Sequence, residues 1–381
     1  MFFPAAIIAT LPPTAAIERV VRDQMARNHL RAVLVKVRSN GADVYTGAFG
    51  ESMTGVPATP EMHFRIGALA FTYMSTLLLE YVDQNKVTLD TKLSKYFPEL
   101  PHAGSISLRN LSQMTSGYAD YVYQPELIRS LYRNPFRQYT PEELIHIGVS
   151  KPLQFAPGTN WGYSHTNYVI LGRVLEKISG MPLDEAIRKN IFEPLGLTQT
   201  AASTTPEIPT PALHAFTSER REVLGVKRGV PFTEEATYWN PSWTTAEGAV
   251  ETGTLSDLAT SIEAVASGKL LSQKSSAAMI VPSLTGFGHK QRNCPACNKM
   301  TADLNYGLGI LLSRSWISQS LGFAGASGVV GTLPPQKLTI VVEATNAAAA
   351  YDAKGNAGSG AVPVYNALGN LLAPNTMPPG P

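Results

Sequence analysis

A tyrosine, a serine and a histidine stand side by side at Tyr163-Ser164-His165. A hydroxyl and an imidazole are the parts of a nucleophile and its base, provided they meet in hydrogen-bond geometry. Neighbours in sequence seldom do. The plain reading of His165 is therefore a solvated loop histidine, and the sharper one is ligand binding. Tyr163 can pack its ring, bond a helix end or touch a ligand. Its phenol ordinarily titrates near 10, and burial without a neighbouring ammonium raises that value further. Ser75 is another candidate hydroxyl, but its i+3 neighbour is Leu78 and its surroundings are apolar. A buried serine bonded to a backbone carbonyl fits it better than a nucleophile. Ser327 precedes Gly328 and reads as a turn residue or as a pocket residue. Cys294 and Cys297 form Cys-Pro-Ala-Cys in a polar, turn-like stretch with only His289 nearby. A zinc site needs about four ligands, so a small disulfide-closed loop or two free thiols is the simpler expectation.

The elements that must position these residues follow from periodicity and punctuation. Residues 16–28 read as an amphipathic helix. Residues 32–38 and 42–48 read as strands joined by Asn40-Gly41, a hairpin signal. Residues 68–85 are apolar nearly all round, as a buried helix requires. Short helices are expected over 108–114 and from Thr140-Pro141, with threonine as cap and proline at the first position. Longer ones are expected over 167–179, ended by Gly180, and over 255–267, ended by Gly268. Residues 304–312 and 338–343 read as strands, with 322–332 leading into the second. Strands thus lie at both ends of the sequence and helices between. That pattern predicts an α/β (α+β) fold, an antiparallel sheet of five or more strands flanked by helices, with an inserted, mostly helical region.

The chain has 381 residues, 44% hydrophobic and 16% charged, which is enough apolar material for a sizeable core. The net charge of +2 comes without a basic stripe, which argues against a nucleic-acid partner. No apolar run is long enough to span a bilayer. Residues 1–16 read as an apolar arm or the remnant of an export signal without its basic region. The proline-rich stretch 374–381 reads as a flexible tail.

Further landmarks are Phe64-Arg65-Ile66-Gly67, Thr115-Ser116-Gly117, Phe155-Ala156-Pro157-Gly158, Tyr163-Ser164, Asn167-Tyr168, Leu171-Gly172, Glu193-Pro194-Leu195-Gly196 and Tyr306-Gly307-Leu308-Gly309. Each is weak alone. In this order and spacing the chain resembles the serine β-lactamase-like superfamily, and is similar to class C β-lactamases, soluble DD-peptidases and related esterases. The resemblance covers roughly residues 17–370. It implies one β-lactamase/transpeptidase-like unit over 17–373, with an α/β part at about 17–105 and 245–373 and a helical part at about 106–244. A pocket would lie between the two parts.

The family pattern also implies a site, and there this chain departs from it. Ser-x-x-Lys on a helix would fall at Ala68 and Phe71. Tyr-x-Asn would fall at Tyr163 and His165. The Lys-Thr-Gly or His-x-Gly strand motif would fall at Phe323-Ala324-Gly325. Of these five polar positions Tyr163 alone is unchanged. The joint loss argues for drift or repurposing rather than one inactivating substitution. An oxyanion hole could survive, since it would use only the amides of Ala68 and Ala326. The resemblance therefore implies a pseudoenzyme with no cofactor or metal, binding a small molecule, a peptide or a partner protein. The former cleft would be lined by Ala68, Phe71, Tyr163, His165, Phe323, Gly325, Ala326 and Ser327. The alternative is a repurposed enzyme or weak esterase using Tyr163 and His165. Trp161, Trp239 and Trp243 could wall a groove, though aromatics are more often core. Relatives of this kind usually act outside the cytoplasm, so export is expected.

Overall fold

The Asn40-Gly41 hairpin starts the sheet. Asn40 and Gly41 both take positive φ, 50° and 78°, the backbone twist that a two-residue turn between antiparallel strands needs. The strands it joins are Leu30–Ser39 and Ala42–Met53. This is a computed structural model describing residues 12–203 and 205–378. Most of the expected N-terminal arm, residues 1–11, and the last residues of the expected tail, 379–381, lie outside the described residues.

The sheet has eight strands in the order Val56–Pro57, Ala42–Met53, Leu30–Ser39, Leu338–Asn346, Ala326–Leu333, Trp316–Phe323, Leu311–Ser313 and Asn305–Tyr306. Every pairing is antiparallel. The first long strand pairs with the last, Val35 opposite Val342, so the N-terminal hairpin and the C-terminal meander form one surface. Both faces are apolar because both are covered. Val33, Val35, Val37, Ile340 and Val342 pack under the terminal helices Thr14–Asn28 and Ala361–Leu372. Ala32, Leu34, Val330 and Val341 face the larger core, which holds the helix Leu69–Asp83.

That helix is buried on all sides, as its uniform hydrophobicity predicts, with every residue from Leu69 to Leu79 buried. The helix from Pro141 starts with a reciprocal cap: Glu143 N donates to Thr140 Oγ1 at 3.2 Å and Thr140 N to Glu143 Oε2 at 3.0 Å. Thr166–Ser179 and Leu255–Ser267 end at Gly180 and Gly268 in the left-handed region.

Three expectations need correction. The strand predicted over 304–312 is two short strands, interrupted where Gly309 takes φ +70° against the buried helix. The stretch 322–332 is the tip and second arm of a hairpin, whose first strand, Trp316–Phe323, has too mixed a pattern to be read locally. The described part of the tail is not loose. Met377 is buried, Arg314 Nη1 donates to its carbonyl at 3.0 Å, and Trp316 Nε1 donates to Thr376 Oγ1 at 3.1 Å.

Glu80, in the last turn of the buried helix, gives the fold a pH dependence. Its Oε2 is buried without a partner. Burial, then the nearby Asp83, push its carboxyl from 4.5 up to about 7. The fold therefore prefers the protonated form. The stability this confers is complete below the unfolded value and is lost as pH rises through about 7. After allowance for partial exposure, we expect stability to fall by about 1–2 kcal/mol between pH 5 and 8. Urea unfolding of Glu80→Gln at both pH values should show a smaller fall. An equal fall would rule Glu80 out as the source.

Candidate active-site cleft

The strand Phe64–Arg65 pairs with Glu251–Gly253, and Ile66 N donates to Glu251 O at 3.2 Å. Gly67 then turns the chain with φ +51°, its Cα so close to the Trp316–Phe323 strand that a Cβ would lie 2.5 Å from Gly322 N. Only glycine allows this approach. The turn delivers Ala68, partly exposed, to the start of the helix, where its side chain makes no capping bond.

Phe71 follows one turn on and is 1% exposed. Its ring stacks on Tyr168 with centroids 4.0 Å apart and meets the edge of His165 at 5.6 Å. Tyr163 lies 6.0 Å away. Beneath this cluster Ser75 Oγ is 2.8 Å from Ser112 Oγ and 3.0 Å from Tyr168 Oη, and Tyr168 donates to Ser112 O at 2.7 Å. Ser75 is thus an inaccessible, satisfied hydroxyl, and its bonds run to side chains rather than to a backbone carbonyl.

His165 holds the arrangement that sequence reading missed. Its Nδ1 lies 2.9 Å from Asp120 Oδ2, and its backbone N donates to Asp120 Oδ1 at 3.2 Å. Asp120 is 3% exposed and also accepts from Val122 N at 3.1 Å. A carboxylate that accepts from both the main chain and the ring of one histidine fixes that ring's direction. Nε2 makes no bond to a described residue and remains the free ring nitrogen. The only local hint was an aspartate able to cap the turn Tyr121–Tyr123, three residues after the Thr115-Ser116-Gly117 landmark.

The rest of this motif divides. Tyr163 is partly exposed, and its hydroxyl bonds no described residue. Burial, with Asp120 adding its negative charge, pushes its phenol well above 10. Ser164 is fully buried, with its Oγ unpartnered. It does not join His165 in a dyad.

Phe323 sits at the hairpin tip, paired with Ala326 across Ala324-Gly325. It stacks at 6.1 Å on Trp243 and lies under the Arg65 guanidinium at 5.3 Å. Trp243 also packs against the cluster that holds Tyr121 and Tyr139, so it spans from the His165 side to the Phe323 side. Trp161 and Trp239 are core residues, 4% and 1% exposed. Gly325 is pressed against the Phe216 backbone, and Ala326 is partly exposed. Ser327, expected beside the pocket, lies on the other face of the sheet. It accepts from Ala361 N at 3.2 Å, at the start of the C-terminal helix. Side chains alternate along a strand, and Ser327 shares its face with Val329, which packs under the terminal helices.

Cys294 and Cys297 form a disulfide. It rests on Gly162, where a Cβ would lie 3.1 and 3.2 Å from the two sulfurs. His289 N donates to Asn160 Oδ1 at 2.9 Å. The bridged loop therefore braces the segment that leads into Tyr163. Among the described residues no group of three or more His, Cys, Asp or Glu side chains is arranged to hold a metal ion. No helix there is long and apolar enough to cross a membrane.

The model of the Beta-lactamase family matches residues 17–358. This chain belongs to that family. Its sequence is 29% identical over 167 residues to penicillin-binding protein 4* of Bacillus subtilis, covering 42% of this chain and 36% of the relative. It is 25% identical over 198 residues to esterase EstB of Burkholderia gladioli, covering 48% and 50%. The match to another Bacillus subtilis family member reaches 64% of that relative's length. The chain thus spans less than two thirds of these curated relatives. Among solved structures, a D-stereospecific amidohydrolase from Streptomyces sp. superposes with a TM-score of 0.76 at 21% identity, over 95% of this chain and 99% of that one. An octameric penicillin-binding protein homologue from Pyrococcus abyssi superposes with a TM-score of 0.77 at 19% identity, over 96% and 80%. At these identities the superpositions establish the family's mixed α/β fold.

Proposed function

We propose that this chain is a ligand-binding relative of the family's serine enzymes, unable to form an acyl-enzyme. The observation that carries this reading is Phe71. A fully packed phenyl ring occupies the turn after Ala68, stacked on Tyr168 and set edge-on to His165. A methyl at Ala68 cannot attack a carbonyl, and a phenyl at Phe71 cannot take a proton. Backbone amides and binding alone leave about 10³–10⁴-fold over water in well-studied serine enzymes. Relatives named as penicillin-binding proteins, esterases and amidohydrolases support a ligand bearing an ester, amide or carboxylate, free or on a peptide. The bonded Cys294–Cys297 pair supports an oxidising compartment, and so export to the cell envelope or beyond.

Asp120 favours a second reading. A buried carboxylate on Nδ1 selects the tautomer in which Nε2 accepts a proton. His165 would then draw a proton from water as that water adds to an ester carbonyl. The amides of Ala68 and Ala326 would receive the developing oxyanion, and the proton would return to the leaving alkoxide.

Intact-mass measurement after incubation with penicillin and a fluorophosphonate, alongside a short-chain nitrophenyl ester assay, separates these readings. We expect neither adduct nor turnover. A stoichiometric penicilloyl adduct overturns the first reading. Turnover without an adduct, lost in His165→Ala, establishes the second.

A further inference from the structure

Arg65 is a buried charge without a counter-charge. It is 6% exposed, and its Nη2 donates to Pro206 O at 2.5 Å. Its Nε and Nη1 are buried and unpartnered. Among the described residues no carboxylate lies within ion-pair distance of it. Lys36, buried to a similar degree, is by contrast paired with Asp43 at 2.6 Å. Buried charges in folded proteins are paired or ligated, because desolvation otherwise opposes them.

A cavity of about 10 Å³ adjoins Arg65, lined also by Gly67, Thr245, Gly322 and Phe323. This is room for at least one water-sized particle. Thr245 Oγ1 is likewise buried without a partner. Glu251 also lines this cavity. The strand register pairs Arg65 with Thr252, so Glu251, one residue along, projects to the opposite face. Burial pushes the Glu251 carboxyl well above its ordinary range. Beside Phe323, Arg65 and Thr245 offer buried, unpartnered hydrogen-bond donors, and the guanidinium carries a positive charge.

We propose that this cavity is an anion site, in which a halide ion or the carboxylate of a cleft-bound molecule is held by Arg65 and Thr245. A guanidinium presents its N–H groups in a fixed fork suited to a carboxylate. The assignment does not depend on the cleft reading, because a free halide would occupy the cavity whether or not the cleft takes a ligand.

The test uses the unaltered chain. Crystals grown in bromide should show an anomalous peak in the cavity. Thermal unfolding in chloride should have a midpoint about 1–2 °C above that in methanesulfonate at equal ionic strength. Thr245→Val should shrink this difference, and Arg65→Met should abolish it. If Arg65→Met does not fold, the bromide map and Thr245→Val still decide. Displacement of bromide by benzoate identifies the site as a carboxylate subsite, and failure to displace it identifies a free-ion site. Both outcomes support the proposal. Absence of a bromide peak together with equal midpoints in the two salts overturns it.

Discussion

Phe71→Lys is expected to weaken the fold by about 3–5 kcal/mol instead of restoring a base. The ring is 1% exposed, and its stack on Tyr168 alone contributes about 0.5–1.5 kcal/mol beyond its buried area. A lysine there would give up that packing and place an ammonium among Tyr163, His165 and Tyr168. Asp120, beside His165, already accepts from His165 and Val122. An ammonium without a partner in such a site is strongly disfavoured. Adding Ala68→Ser should leave ester turnover at background, because Phe323 still supplies no cation or imidazole at the third polar position. Urea unfolding measures the first effect, and a nitrophenyl ester assay of the double variant the second. A loss below about 1 kcal/mol with appearance of turnover would show that the cleft still accommodates a lysine base, against the binding reading.

Gly309→Ala should be at least as damaging, with a loss of about 3 kcal/mol or more or failure to fold. Gly309 has φ +70°, and an added methyl would overlap the Phe71 carbonyl oxygen and the Ser75 hydroxyl, with the Phe71 carbonyl carbon 2.9 Å away. These atoms belong to the buried helix and cannot swing aside. The same residue ties three elements together: its carbonyl accepts from Thr72 Oγ1 at 2.7 Å and from Gln319 Nε2 at 3.0 Å, and its N–H donates to Ser112 O at 3.1 Å. Shifting Gly309 would disturb the floor under Phe71. Thermal unfolding reads the effect directly. A midpoint within a degree of the parent's would mean that this junction is far more pliable than its packing implies.

Local chemistry carried much of the fold. The positive φ values at Asn40 and Gly41, the Thr140–Glu143 cap and the glycine stops at Gly180 and Gly268 each depend on residues within a few positions, so they were legible in advance. The strand Trp316–Phe323 was not. It carries Ser318, Gln319 and Ser320 in its middle, and Gln319 is fully buried because its amide reaches Gly309 across the sheet. Such a strand loses the alternation that marks one, since a polar side chain satisfied at long range looks solvent-facing from sequence alone.

The cleft divides in the same way. Sequence by itself determined the side-chain types at Ala68, Phe71, Tyr163, His165 and Phe323, and with them the absence of hydroxyl and amine at the first two positions. It also determined the family, through landmarks spread along the chain. Only the tertiary structure decided that Asp120, 45 residues before His165, would hold the imidazole, and that Trp243 would reach both clusters. It alone turned Ser327 towards the C-terminal helix and set Thr245 beside Arg65. Periodicity tells which face of an element is apolar. Which polar groups meet when two faces close depends on strand register and helix packing, and those are set by the whole chain at once.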